Sequence, residues 1–131
     1  MLDRFPPYIL IAVGGMFGAL ARYWITGYYK NSDFPYGTLI VNIIGSGLLG
    51  FLVTLYSLNV LESNWLIFLG TGFMGSLTTM STFVVETIKL SEETIPLGFT
   101  NIFSTLVFVF LGGYAGQALA IFYVNRGGVF T

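Results

Sequence analysis

The chain has 131 residues, 55% of them hydrophobic and only 8% charged, with a mean hydropathy of +0.82 and a formal net charge of −1, the profile of a single-domain integral membrane protein. It contains no cysteine and no histidine, which excludes disulfides, thiolate metal centres, Cys or His nucleophile pairs and imidazole proton relays. Its few basic residues are scattered singly, so there is no electrostatic footprint for nucleic acid, and an enzyme is not expected.

The N-terminus, Met1 to Pro7, carries one basic residue and no small-residue cleavage site, so it reads as retained rather than as a signal peptide. The first apolar run, about residues 8–29, reaches the roughly 20 residues needed to span a bilayer. Gly14 and Gly18 form a GxxxG, with Gly15 and Ala19 beside it, a ridge on which a second helix can approach closely. Arg22 sits near the inner end of this run. A guanidinium at that depth faces a cavity or a partner, or else snorkels to the interface.

After a polar turn containing Asn31, Ser32, Asp33 and Pro35, a second span covers about residues 37–58. Thr38, Asn42 and Ser46 recur every fourth residue and so share one face of an otherwise apolar helix. An amide in hydrocarbon needs partners, which for Asn42 means either a neighbouring helix or a polar path.

The third span, about residues 65–90, has a centre that lipid would not select. Gly70, Gly72 and Gly75 are followed by five hydroxyl residues between positions 76 and 82. At about 100° per residue those hydroxyls cover every face of a helix, whereas helix packing needs only one. The pattern predicts a helix broken at a site buried in protein or lining a polar cavity; the alternative is a continuous helix that uses small residues for packing. The span closes with Glu86 and Lys89 ahead of an acidic turn.

Pro96 begins the fourth span, about residues 97–124, with Asn101, Ser104, Thr105 and Gln117 among its polar positions and glycines at 112, 113 and 116. Asn101 and Thr105 lie one turn apart and extend a polar track, unless Ser104 and Thr105 bond back to their own helix carbonyls.

Four spans put both termini on one side of the membrane, which leaves Arg4 and Arg126 on that side against Lys30 and Lys89 on the other. Basic bias fixes orientation, so a balanced count predicts insertion both ways up, and an antiparallel homodimer is the most economical assembly for burying the polar faces. Hydroxyl and amide donors and the electropositive rims of Phe rings favour an anion, and no proton-exchanging group lies at mid-membrane, so a passive channel is expected. The runner-up is a small dual-topology exporter of the multidrug resistance type. That mechanism needs an acidic residue buried in the first span, where this chain has Arg22.

The runs GGMFGALARY at 14–23, GTLIVNIIGSGLLG at 37–50 and GTGFMGSLTTMSTF at 70–83 resemble the three signature segments of the fluoride-specific channels of the Fluc/CrcB family. The resemblance implies an all-α fold with four transmembrane helices, the third of them broken, paired as an antiparallel dual-topology homodimer in the inner or plasma membrane. Two pores lined by both subunits would let toxic cytoplasmic fluoride leave the cell. It further implies a structural sodium ion at the dimer centre, held by the main-chain carbonyls of Gly75 and Thr78. Asn42 and Phe83 match the amide and the ring edge that replace part of the ion's hydration. Thr38, Ser81 and Thr82, with Thr79 beside them, match hydroxyls along the path, which Asn101 and Thr105 would extend. Arg22 matches a first-span arginine near a vestibule, where Glu86 is also expected. Met80 stands where these channels usually carry a second Phe; a thioether is polarizable but has no electropositive rim. Ser76 replaces a usual Gly, and Gly47 a usual Phe.

Overall fold

The computed structural model describes residues 2–127, and over them the chain is all-helical. After a short 3-10 turn, Leu2–Arg4, α1 (Pro7–Tyr28) starts on a proline, whose missing N–H costs nothing at a first helical position. Helix α2 (Tyr36–Ser57) follows Pro35 and ends where Asn59, at φ 57°, turns the chain through the left-handed region that asparagine tolerates. Each of these helices has 22 residues, about 33 Å at 1.5 Å per residue, which matches the hydrocarbon thickness of a bilayer.

The third span (Ser63–Glu93) is not one helix. It opens as α3 (Ser63–Trp65), widens into a π-helical stretch (Leu66–Met74) and returns to α geometry in α4 (Gly75–Leu77). The joints between these pieces keep right-handed helical dihedrals, so they form one continuous rod. Thr78 (φ −76°, ψ 155°) and Thr79 (φ −150°, ψ 121°) are then extended, and a new helix, α5 (Met80–Glu93), begins. The predicted break therefore falls at Thr78 and Thr79. A turn through Thr94 leads into α6 (Ile95–Arg126). Among the described residues four segments are long and apolar enough to cross a membrane: Pro7–Tyr28, Tyr36–Ser57, Ser63–Glu93 and Ile95–Arg126. The last runs a few residues past the expected 97–124 at both ends.

Two glycine seams hold the bundle. In one, Gly14 and Gly18 of α1 face the π-helical stretch. A Cβ on Gly14 would collide with the Phe68 carbonyl and one on Gly18 with the Phe73 carbonyl, while one on Gly72 would press tightly, at 3.0 Å, on the Ile11 carbonyl of α1. The GxxxG ridge is thus used within the chain. In the other seam, α2 crosses α6 with Gly47 and Gly50 against Gly112, Gly113 and Gly116; a Cβ on Gly116 would strike the Gly47 carbonyl. Buried clusters follow the seams, with Val41, Met74 and Leu77 beside the break and Leu55, Ala120 and Val124 toward the other end. Large apolar side chains cover the outside, among them Phe99, Phe103, Phe110 and Tyr114 on α6, as lipid contact requires.

Candidate functional site

The break is built by exchanging backbone partners for side chains. In an unbroken helix the Thr79 amide would bond the Gly75 carbonyl, and the Thr82 amide the Thr78 carbonyl. Instead the Thr79 N–H donates to Asn42 Oδ1 at 2.8 Å, and Asn42 Nδ2 donates back to the Thr79 carbonyl at 3.1 Å. The Thr82 N–H donates to Thr79 Oγ1 at 3.2 Å, so Thr79 caps α5 at its N-terminus. These two exchanges release the carbonyls of Gly75 and Thr78 from their helical partners. The Thr78 carbonyl accepts a hydrogen bond from Arg22 Nη1 at 3.3 Å, while its hydroxyl bonds back to Met74 at 3.1 Å. A carbonyl has two lone pairs, so one at Thr78 remains. Gly75 is exposed on the surface of the bundle.

An open cavity of about 260 Å³ lies against the break, walled by Asn42, Thr78, Thr79, Met80, Phe83 and Thr105 among others. The residues that line this space carry an amide with one N–H still to place, hydroxyls and an aromatic ring, and no Asp or Glu is among them. The predicted Asn42 is thus bound to the break and present on the cavity wall at once. Phe83 and Thr105 are buried, Met80 is 70% exposed, and Ser81 and Thr82 are exposed on the outer face of α5.

The sequence profile described as "CrcB-like protein, Camphor Resistance (CrcB)" matches residues 9–117, most of the chain and both sides of the break. The chain belongs to the CrcB family. Over 112 residues it is 50% identical to a protein of Pyrococcus horikoshii named "Fluoride-specific ion channel FluC", the match covering 79% of this chain and 89% of that protein. Proteins of the same name from Methanocaldococcus jannaschii, 42% identical over 86% of this chain and 93% of theirs, and from Listeria innocua, named "FluC 1", 40% identical over 87% and 93%, are also similar. With its four spans, this CrcB protein is a multi-pass membrane protein.

A second cavity, of about 350 Å³, opens at the end of the bundle beside the α1–α2 turn, and Thr38, Glu86, Lys30 and Lys89 help to line it. Thr38 Oγ1 donates to Glu86 Oε1 at 2.9 Å, and Glu86 Oε2 is buried with no hydrogen-bond partner among the described residues. Of the two side chains expected at a vestibule, Glu86 lines this mouth, whereas Arg22 turns inward to the break.

Asn101 lines neither cavity. It is 1% exposed, and its Nδ2 donates to Thr87 Oγ1 at 2.8 Å. Thr87, which is not among the polar positions that the sequence motifs single out, lies one turn beyond Phe83 and donates to the Phe83 carbonyl at 2.7 Å. Its signal was present as a hydroxyl at i+4 from a candidate site residue, but such threonines often only back-bond. Ser104 does just that, onto the Thr100 carbonyl at 2.7 Å.

Proposed function

We propose that this CrcB protein is a fluoride-selective passive channel of the inner or plasma membrane, not an enzyme, which lets toxic cytoplasmic fluoride leave down its gradient. The carrying observation is the cavity at the break, which is lined by the amide residue Asn42, the hydroxyl residues Ser46 and Thr105 and the aromatic Phe83, and by no Asp or Glu. Such groups replace an anion's hydration without fixing it by full charge, which permits both binding and release. The similar proteins named as fluoride-specific channels support the choice of ion.

The working unit is an antiparallel homodimer with two pathways. Gly75, Ser81 and Thr82 are exposed at membrane depth, where lipid offers no hydrogen bond, and an inverted copy would cover them. Two basic residues on each side of the membrane allow both orientations. The released carbonyls of Gly75 and Thr78 suit a hard cation, and among the described residues no cluster of His, Cys, Asp or Glu offers a different kind of metal site. A sodium ion held by these two carbonyls from each copy would supply positive charge where the helix breaks meet.

Ion efflux from liposomes holding the purified protein, with fluoride and chloride compared side by side, tests the channel. Fluoride efflux with chloride retained is expected; equal efflux of both, or of neither, rules the proposal out. Exchanging sodium for a bulky organic cation during purification is expected to lower flux or dimer stability, and unchanged values of both would reduce Gly75 and Thr78 to packing residues.

A further inference from the structure

Three groups form a directed chain of hydrogen bonds that ends on a wall of the cavity at the break. Asn101 Nδ2 can only donate, so the Thr87 hydroxyl oxygen accepts from it at 2.8 Å, and the single Thr87 hydroxyl proton then points to the Phe83 carbonyl at 2.7 Å. All three residues are buried, Asn101 to 1% exposure. The chain crosses from α6 to α5, and on each helix it is anchored one turn from a residue that walls the cavity: Asn101 precedes Thr105 on α6, and Thr87 follows Phe83 on α5. Below this point the hairpin is closed by Gly98, where a Cβ would collide with the Ser91 hydroxyl.

We propose that Asn101 and Thr87 are positioning residues, which set the separation of the Phe83 ring from Thr105 and thereby tune anion selectivity without touching the ion. This rests on the channel proposed above. The one-residue turn at Thr94 and the Gly98–Ser91 contact hold the hairpin at its closed end, but toward the break apolar packing alone would let α5 and α6 splay apart, because lipid and neighbouring helix are equally apolar. A hydrogen-bonded relay fixes their separation there, since any splaying leaves a buried amide without a partner. Asn101 therefore acts through Phe83 rather than as part of a track.

The test compares fluoride and chloride efflux for the unmodified protein, Thr87→Val, Thr87→Ser and the double variant Asn101→Leu/Thr87→Val, each after confirmation of a monodisperse size-exclusion peak. Thr87→Val is isosteric but orphans the amide, whereas the double variant removes both partners and so relieves the orphan. Both are expected to lower the fluoride-to-chloride flux ratio by about tenfold, the equivalent of one lost hydrogen bond. Thr87→Ser keeps the hydroxyl and is expected to stay within about twofold of the unmodified ratio. A purely structural relay predicts that the double variant, once folded, conducts with the unmodified ratio, and that result overturns the proposal. So does a loss in Thr87→Ser as large as in Thr87→Val, a comparison that decides the matter even where the double variant is not recovered folded. Absence of fluoride efflux from the unmodified protein would instead defeat the channel itself, and the selectivity role with it.

Discussion

Before the break, the third span meets α1 backbone against backbone: Gly14 and Gly18 leave no room for a Cβ, and Gly72 lies tight against the α1 backbone at Ile11. After the break, the same span is tied by polar side chains, with Asn42 on Thr79, Thr38 on Glu86 and Asn101 on Thr87. The first half is located by shape and the second by hydrogen bonds. Close packing tolerates no added volume but does not depend on chemical detail. The polar half has the reverse sensitivities, and that half carries Asn42's partner Thr79 and the cavity-lining Phe83, the groups proposed to meet the anion. A continuous rod up to Leu77 thus positions the break, and polar side chains from α2 and α6 hold the segment beyond it.

The largest effect is expected in the first half. Gly18→Leu drives a side chain into the Phe73 carbonyl, a backbone atom that cannot give way locally, and is expected to cost about 3 kcal/mol or more. Loss of the monodisperse peak on size exclusion measures it. A folded Gly18→Leu protein at normal yield would show that the α1 seam is looser than its geometry.

Next comes Asn42, where the two halves are joined. Asn42→Leu strands the N–H and the C=O of Thr79, at about 1–3 kcal/mol each, and is expected to destabilise the protein as well as silence it. Asn42→Asp retains an acceptor for the Thr79 N–H but puts negative charge on the cavity wall. It is expected to suppress fluoride flux at least tenfold with less loss of folded protein than Asn42→Leu. A folded Asn42→Asp protein that conducts at the unmodified rate would remove Asn42 from the pathway.

How much of this was legible in the sequence follows the same division. The spans and the site of the break were readable because hydropathy and the run of glycines and hydroxyls are local signals; Gly14 and Gly18 likewise announce a close crossing. The uses of the polar side chains were not. Nothing in local spacing says that Asn42 pairs with the backbone of Thr79, 37 residues away, or that Asn101 reaches Thr87 rather than an ion. Two of the hydroxyls that signalled a polar site are engaged on their own backbone, Thr78 on Met74 and Thr79 on the Thr82 N–H. Composition detects that polar groups are needed at a given depth, and only the fold distributes them between backbone and ligand. The matching of Gly47 and Gly50 to Gly112, Gly113 and Gly116 was there to be read as two small-residue ridges, but which helices meet is a tertiary fact.

A smaller effect is expected at Phe83. Phe83→Ile keeps bulk and hydrophobicity in a buried position while removing the ring edge from the cavity. Fluoride flux should fall about tenfold, with stability changed by about 1 kcal/mol. If flux and recovery of folded protein decline in parallel, Phe83 is a packing residue and the second half of the span is less specialised than its hydrogen bonds suggest.

The smallest effect separates wall from surface within α5. Met80 borders the same cavity as Phe83 but is 70% exposed, so its side chain lies largely outside the fold of one chain. Met80→Phe adds an aromatic rim without entering the packed interior, and its cost in stability should stay within about 0.5 kcal/mol, as for a surface substitution. If an inverted copy covers this face, the new ring joins the groups around the ion, and fluoride flux is expected to hold or rise about twofold. Sharp loss of flux in a folded Met80→Phe protein would mean that the thioether's flexibility is needed where the two copies meet. Residue 80 would then belong with the close-packed first half of the span, as a position governed by volume rather than by chemistry.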